Sequence, residues 1–339
     1  MAARHHIIPI FLPHWGCPYH CVYCDQRTIA AKTGPTDIGQ IIDHALTKVP
    51  PGAHPVEVAF YGGTFTALPL ARQEQLLEQV RPFLASGRID SIRLSTHPAW
   101  IYAESLQLLK DYNVETVELG VQSLDREVLQ HSGRAYDPAV VEEAVHRLKQ
   151  SALAVGIQLM PGLPGDTKSK FLRTVERTIK LRPTLVRVYP TVVIKGTRLA
   201  EMWIEGNYRA LGLQEAVDWC KDAVTLFAAA DIPIIRMGLQ PSSELTESVL
   251  AGPYHPAFRA LVDAALMLTK IEQALPEKTG NLIIYCHPRD ISSVRGLRNA
   301  NVDQLKGKYG FDKIQVLPAL NIARGDVYIK QEFPTLRRI

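Results

Sequence analysis

Three cysteines crowd the stretch "GCPYHCVYC" (16–24): Cys17, Cys21 and Cys24, out of five cysteines in a chain of 339 residues. An odd, unevenly clustered set does not read as a disulfide framework, so it points to a reducing compartment and to metal or redox chemistry. Four-iron clusters take thiolate ligands, commonly four. A Cys-x3-Cys-x2-Cys loop offers three and leaves one iron open to a small molecule. S-adenosylmethionine can chelate such an iron through its amine and carboxylate, and electron delivery through the cluster then cleaves the sulfonium to a 5′-deoxyadenosyl radical.

Other readings compete for the same residues. Zinc could take Cys17, Cys21 and Cys24 with His20, although structural zinc usually draws its ligands as two separated pairs and this loop would be cramped. A plain electron-transfer ferredoxin would supply a fourth cysteine close by. Cys220 and Cys286 lie instead on a helix-like and a strand-like stretch, and both read as core cysteines. Burial by chance is disfavoured for the cluster because Pro18 and other loop residues surround it. A non-catalytic metal- or RNA-binding module is therefore the alternative class to an enzyme.

The elements that must position this loop alternate regularly. "HHIIPIFLPH" (5–14), "PVEVAFYGG" (55–63), "SIRLSTHP" (91–98), "VETVELGVQS" (114–123), "AVGIQLMPGLP" (154–164) and "LVRVYPTVV" (185–193) read as six strands buried on both faces. Residues 37–49, 70–84, 103–112, 138–151 and 170–181 keep apolar positions at three and four spacing and read as helices, and 193–230 reads as helical. Repeated βα units make a parallel sheet with helical crossovers. The residues able to do chemistry follow the C-terminal ends of the strands, which in a barrel share one rim. The expected fold is α/β, an incomplete (β/α)6 barrel over 1–240, a helical extension over 241–278 and a small α+β unit over 279–339.

Net charge is only +4, too little to argue for nucleic acid by itself. Its distribution is uneven, because residues 276–339 hold 11 Lys and Arg against 6 Asp and Glu. No apolar run reaches spanning length and the N-terminus does not read as a signal peptide, so a cytoplasmic protein without a membrane partner is expected.

The cysteine spacing, with Tyr23 between the second and third cysteines, resembles the radical S-adenosylmethionine superfamily. That resemblance implies a 4Fe-4S cluster on Cys17, Cys21 and Cys24, S-adenosylmethionine as cofactor, and an electron donor such as a flavodoxin or ferredoxin. Tyr23 would lie against the adenine. "YGGTFTALP" is similar to the family's Gly-Gly-Glu/Thr segment, so Gly62, Gly63 and Thr64 would meet the methionine amine, glycine permitting close backbone approach. "VELGVQSLDREVLQHSGR", "GIQLMPGLPGDT" and "RVYPTVVIKGTRLAEMWIEGNYRAL" resemble, more closely, the catalytic subunit of the Elongator complex, which modifies the wobble uridine of transfer RNA. This likeness runs from about Pro9 to His255.

By it Gln122 and Gln158 would contact the ribose or methionine end, Ser95 the carboxylate, and Lys195 would face the substrate end of the cavity. Barrel-rim packing is the plain alternative for the two glutamines, and an exposed loop lysine for Lys195. The departures bear on substrate: Cys24 is followed by Asp25-Gln26-Arg27, "SGRAYD" (132–137) replaces Arg-Gly-His, and no acetyltransferase domain has a counterpart. The expected function is hydrogen abstraction from an unidentified substrate, an RNA nucleoside by the resemblance. A coproporphyrinogen oxidase-like activity is the alternative within enzymes.

Overall fold

The computed structural model describes residues 5–29, 34, 37–275 and 280–332. Seven strands form one parallel sheet: β1 (His6–Phe11), β2 (Val56–Tyr61), β3 (Ser91–Thr96), β4 (Val114–Gln122), β5 (Ala154–Leu159), β6 (Leu185–Val188) and, after the short β7 (Val193–Ile194), β8 (Ile234–Met237). Their spatial order is β1-β2-β3-β4-β5-β6-β8, with every pairing parallel. The six expected strands are all present, and "IIRM" adds a seventh beyond β6.

The sheet is curled. β2 and β6 are four strand spacings apart, about 19 Å across a flat sheet. The Tyr61 hydroxyl on β2 nevertheless accepts a 2.7 Å hydrogen bond from Arg187 on β6. Such reach requires a concave inner surface, that of a partial barrel.

The helices follow from amphipathic periodicity and capping. In Lys168–Lys180 the Thr167 side chain accepts from the Lys170 N–H, while Phe171, Thr174, Val175 and Thr178 form the buried stripe. That stripe also fixes the rim: the Thr174 hydroxyl accepts from Leu124 N at 3.1 Å, just beyond β4. The single helix expected over 70–84 is two, Leu70–Glu78 and Arg81–Ala85. Pro82 lacks the N–H a continuous helix needs and suits the first turn of a new one. The helical reading of 193–230 is also corrected, since β7 pairs antiparallel with β9 (Val249–Ala251), ahead of helices Arg198–Ile204 and Leu213–Ala229.

The chain divides into two compact units, the second formed by 213–222 and the chain from His255 onward. In it β10 (Asn281–Cys286) lies between a parallel β11 (Lys313–Pro318) and an antiparallel β12 (Val327–Glu332). Met267, Ile271, Val294 and Leu305 from its helices pack with Leu282, Ile284, Cys286 and Val316. Among the described residues no helix is long and apolar enough to cross a membrane.

Candidate active site

The cysteine loop leaves β1 at its C-terminal end and is laced to the segment after β2. Leu12 N donates to Tyr61 O at 2.7 Å, His14 N to Gly62 O at 2.9 Å and Thr64 N to Trp15 O at 2.8 Å. A Cβ at Gly63 would stand 2.4 Å from Trp15 O and 2.7 Å from Leu12 O. Glycine at 63 is therefore required by the approach of two backbones, a reason nearer at hand than approach to a ligand. Gly62 has φ +88°, a conformation that other residues rarely adopt.

The second half of the loop is held elsewhere. Val22 N donates to Ser132 O at 3.2 Å, and Leu199 N donates to Val22 O at 2.7 Å. Tyr23 is buried with Val128, Leu163, Leu199 and Tyr208, so it anchors the loop to the rim.

All three thiols are free, and each sulfur meets a donor. Thr64 Oγ1 lies 3.6 Å from Cys17 Sγ, Gln26 Nε2 lies 3.6 Å from Cys24 Sγ, and a terminal nitrogen of Arg134 lies 3.3 Å from Cys21 Sγ. Burial pushes the Cys17 thiol up and the Cys24 thiol up to about 12, and the charge of the neighbouring Cys21 adds to both. The sulfurs thus share one neighbourhood in which burial and mutual repulsion raise the Cys17 and Cys24 thiols despite the nearby Arg134 charge, and a cationic metal centre supplies further counter-charge. Among the described residues no three His, Cys, Asp or Glu side chains are gathered for a single ion, and His20 is exposed. The donor set of three soft thiols, each with a hydrogen bond available to its sulfur, fits an iron–sulfur cluster.

Arg134 joins this loop to the sheet. Its guanidinium also donates to Gly120 O and lies over the Tyr136 ring, whose hydroxyl donates to Val121 O at 2.8 Å. His97 completes the group. Its Nδ1 accepts from Ala99 N at 3.1 Å, and burial together with Arg134 pushes its pKa down to about 2, so the ring is neutral with the proton on Nε2. That ring meets Tyr136 edge-on at 4.9 Å.

Gln122, at φ +69°, ends β4 at a break in register, and its Oε1 accepts from Gln158 Nε2 at 3.2 Å. Ser95 lies half-buried near the end of β3, and Lys195 is exposed on the turn after β7. The structure therefore gathers Cys17 with Gly62, Gly63 and Thr64, pairs Gln122 with Gln158, and adds Arg134 between β4 and Cys21.

Deeper in the barrel lies a charge network that the sequence reading missed. Glu118 on β4 accepts from Arg93 on β3 at 3.1 Å, from Tyr61 at 3.1 Å and from a terminal nitrogen of Arg187 at 3.0 Å. Arg93 also pairs with Glu57 on β2, which accepts from Ser91 at 3.1 Å and contacts His5. Arg187 stacks over the Tyr61 ring. A signal was present: Glu57, Arg93, Glu118 and Arg187 interrupt the strand-like runs "VEVAFY", "SIRLST", "VETVELGVQ" and "LVRV" at buried or half-buried positions.

Residues 13–178 match the Radical SAM superfamily, and residues 183–267 match the Radical_SAM C-terminal domain. The chain belongs to the radical SAM superfamily. As a radical SAM enzyme its cofactors are a 4Fe-4S cluster and S-adenosylmethionine. A relative named tRNA uridine(34) acetyltransferase, from Methanocaldococcus jannaschii, is 27% identical over 193 residues, 51% of this chain and 36% of that protein. Elongator complex protein 3 of Homo sapiens is 26% identical over 183 residues, 48% of this chain and 34% of that protein. The match thus spans about a third of the length of either relative. The archaeal Methanocaldococcus infernus Elp3 with an N-terminal deletion shares the fold, with TM-score 0.59 and 20% identity over 81% of this chain and 64% of that one.

Proposed function

We propose that this radical SAM enzyme acts on a nucleoside in RNA, with a 4Fe-4S cluster held by Cys17, Cys21 and Cys24. The observation that carries the reading is the cysteine loop itself, three free thiols each facing a hydrogen-bond donor and bound to the Gly62–Thr64 segment. The sequence likeness to tRNA uridine(34) acetyltransferase and to Elongator complex protein 3 supports RNA as the substrate class.

When bound, the cluster and S-adenosylmethionine together supply a hydrogen-abstracting 5′-deoxyadenosyl radical. The chain's own residues bind and orient. Backbone groups of Gly62, Gly63 and Thr64 would border the cofactor's methionine end, with Ser95, Gln122 and Gln158 on the neighbouring strand ends, and Tyr23 fixes the loop from behind. Arg134 holds the Cys21 sulfur against β4. A flavodoxin or ferredoxin supplies the electron.

The test is anaerobic reconstitution, with iron, sulfide and zinc counted, then dithionite and S-adenosylmethionine with and without transfer RNA. The expected result is four irons per chain and 5′-deoxyadenosine that rises with transfer RNA and vanishes in a Cys17/Cys21/Cys24→Ala variant. Zinc with no cleavage overturns the cluster reading. Cleavage indifferent to every RNA overturns the substrate class alone.

A further inference from the structure

We propose that the open face of the three-stranded sheet β11-β10-β12 is a docking surface for single-stranded RNA. The inference rests on the reading of RNA as substrate and names the surface of this chain that would hold it. Residues paired in register project to the same side of a sheet, so the pairings divide this sheet cleanly. Leu282 with Ile314, Ile284 with Val316 and Ile329, and Cys286 with Val327 face the helices and form the unit's core.

The opposite face is of another character. Tyr285, half-buried on the central strand, is paired with Leu317 on one side and Tyr328 on the other; two residues back along the same face the buried Ile283 lies between Gln315 and Lys330, and beyond it Lys313 stands opposite Asn281. The two tyrosine rings stand 6.1 Å apart between centroids. Tyr328 is 61% exposed and Leu317 37%, and Lys313 and Lys330 are exposed. Among the described side chains of these strands the charged ones are those two lysines, and Glu332 occupies the far end opposite Asn281.

Aromatic rings on a sheet surface stack on unpaired bases, and lysines beside them follow the phosphates. Tyrosines suit a protein interface as well, but lysine is depleted at the centre of such interfaces, so the two lysines beside the rings favour a polyanion. The basic excess of residues 276–339, 11 Lys and Arg against 6 Asp and Glu, is complementary in sign to a polyanion. A duplex offers no splayed bases to the tyrosines, so the surface suits a loop or a single strand.

The test uses the full chain, loaded with its cluster, and fluorescence anisotropy of a short labelled single-stranded RNA and of its duplex. Tyr328→Ala is expected to weaken single-strand binding by about fivefold or more, since one stacked base contributes about 1–3 kcal/mol. Lys313→Gln and Lys330→Gln are each expected to flatten the dependence of log K on log salt by about 0.7. All three variants should keep wild-type far-UV circular dichroism and RNA-independent S-adenosylmethionine cleavage.

If the variants bind the single strand as wild type does, or if Tyr328→Ala alters only the oligomeric state, the surface is not an RNA site. If transfer RNA still stimulates cleavage in those variants, that failure leaves the RNA-substrate reading standing. If wild type binds no RNA and none stimulates cleavage, both readings fall together.

Discussion

Glu118 sits between two guanidinium groups, with 3% of its side chain exposed against 4% for Arg93 and 12% for Arg187. A carboxylate so placed is compensated by its neighbours, and its removal takes from Arg187 its carboxylate partner while Arg93 keeps Glu57. Glu118→Gln is expected to cost about 3–5 kcal/mol of stability, read as a drop in the urea midpoint. Changing Glu118 and Arg187 together to apolar residues should recover part of that loss, because a missing pair costs less than a broken one. Two glycines provide a contrast at the same scale. A Cβ at Gly63 runs into the backbone of Trp15 and Leu12, whereas one at Gly52 meets nothing within 4 Å and suffers only from its φ of +75°. Gly63→Ala should therefore lower the iron bound per chain, measured colorimetrically after reconstitution. Gly52→Ala should leave iron unchanged and lower stability by about 1 kcal/mol.

At the scale of elements, the turn between β5 and the helix Lys168–Lys180 carries a titratable support. Asp166 accepts from Gly162 N and from Thr167 N, each at 2.9 Å, and burial raises its pKa to about 6. A carboxyl group whose folded pKa lies above its unfolded value of about 4 binds its proton more tightly when folded. Its contribution to stability is thus fully present below about pH 4 and lost as pH rises through 6. Asp166→Asn should flatten the urea midpoint across that window relative to wild type. The strands themselves were legible because sheets covered on both faces leave continuous apolar runs. The broken helix was legible in principle at Pro82. The pairing of β7 with β9 was not, since strands of two and three residues carry no periodicity and their contact joins Val193 to Ala251.

At the scale of the whole molecule, what the sequence disclosed of the site was whatever lies close along the chain. The three cysteines fall within one loop, so their spacing alone suggested shared chemistry. Arg134 reaches Cys21 across 113 positions and Arg187 reaches Tyr61 across 126, and only the curl of the sheet makes those neighbours. The same geometry separates the fold's stability from the cluster's presence. The fold rests on Val58, Phe60, Ile92, Leu94, Val117, Leu119, Val186 and Val188, each at most 1% exposed, which face the helices on the outer side of the sheet, and on the Glu118 network inside the barrel, neither of which includes a cysteine. Stripping iron with ferricyanide and a chelator should therefore leave far-UV circular dichroism and the urea midpoint close to those of the loaded protein, while proteolysis between residues 14 and 25 accelerates. A structural zinc knuckle behaves in the opposite way, because there the metal contributes the folding free energy and its removal unfolds the domain. Global unfolding on metal removal would make the cysteines part of the scaffold, and a local loosening confined to the loop would make them part of the chemistry.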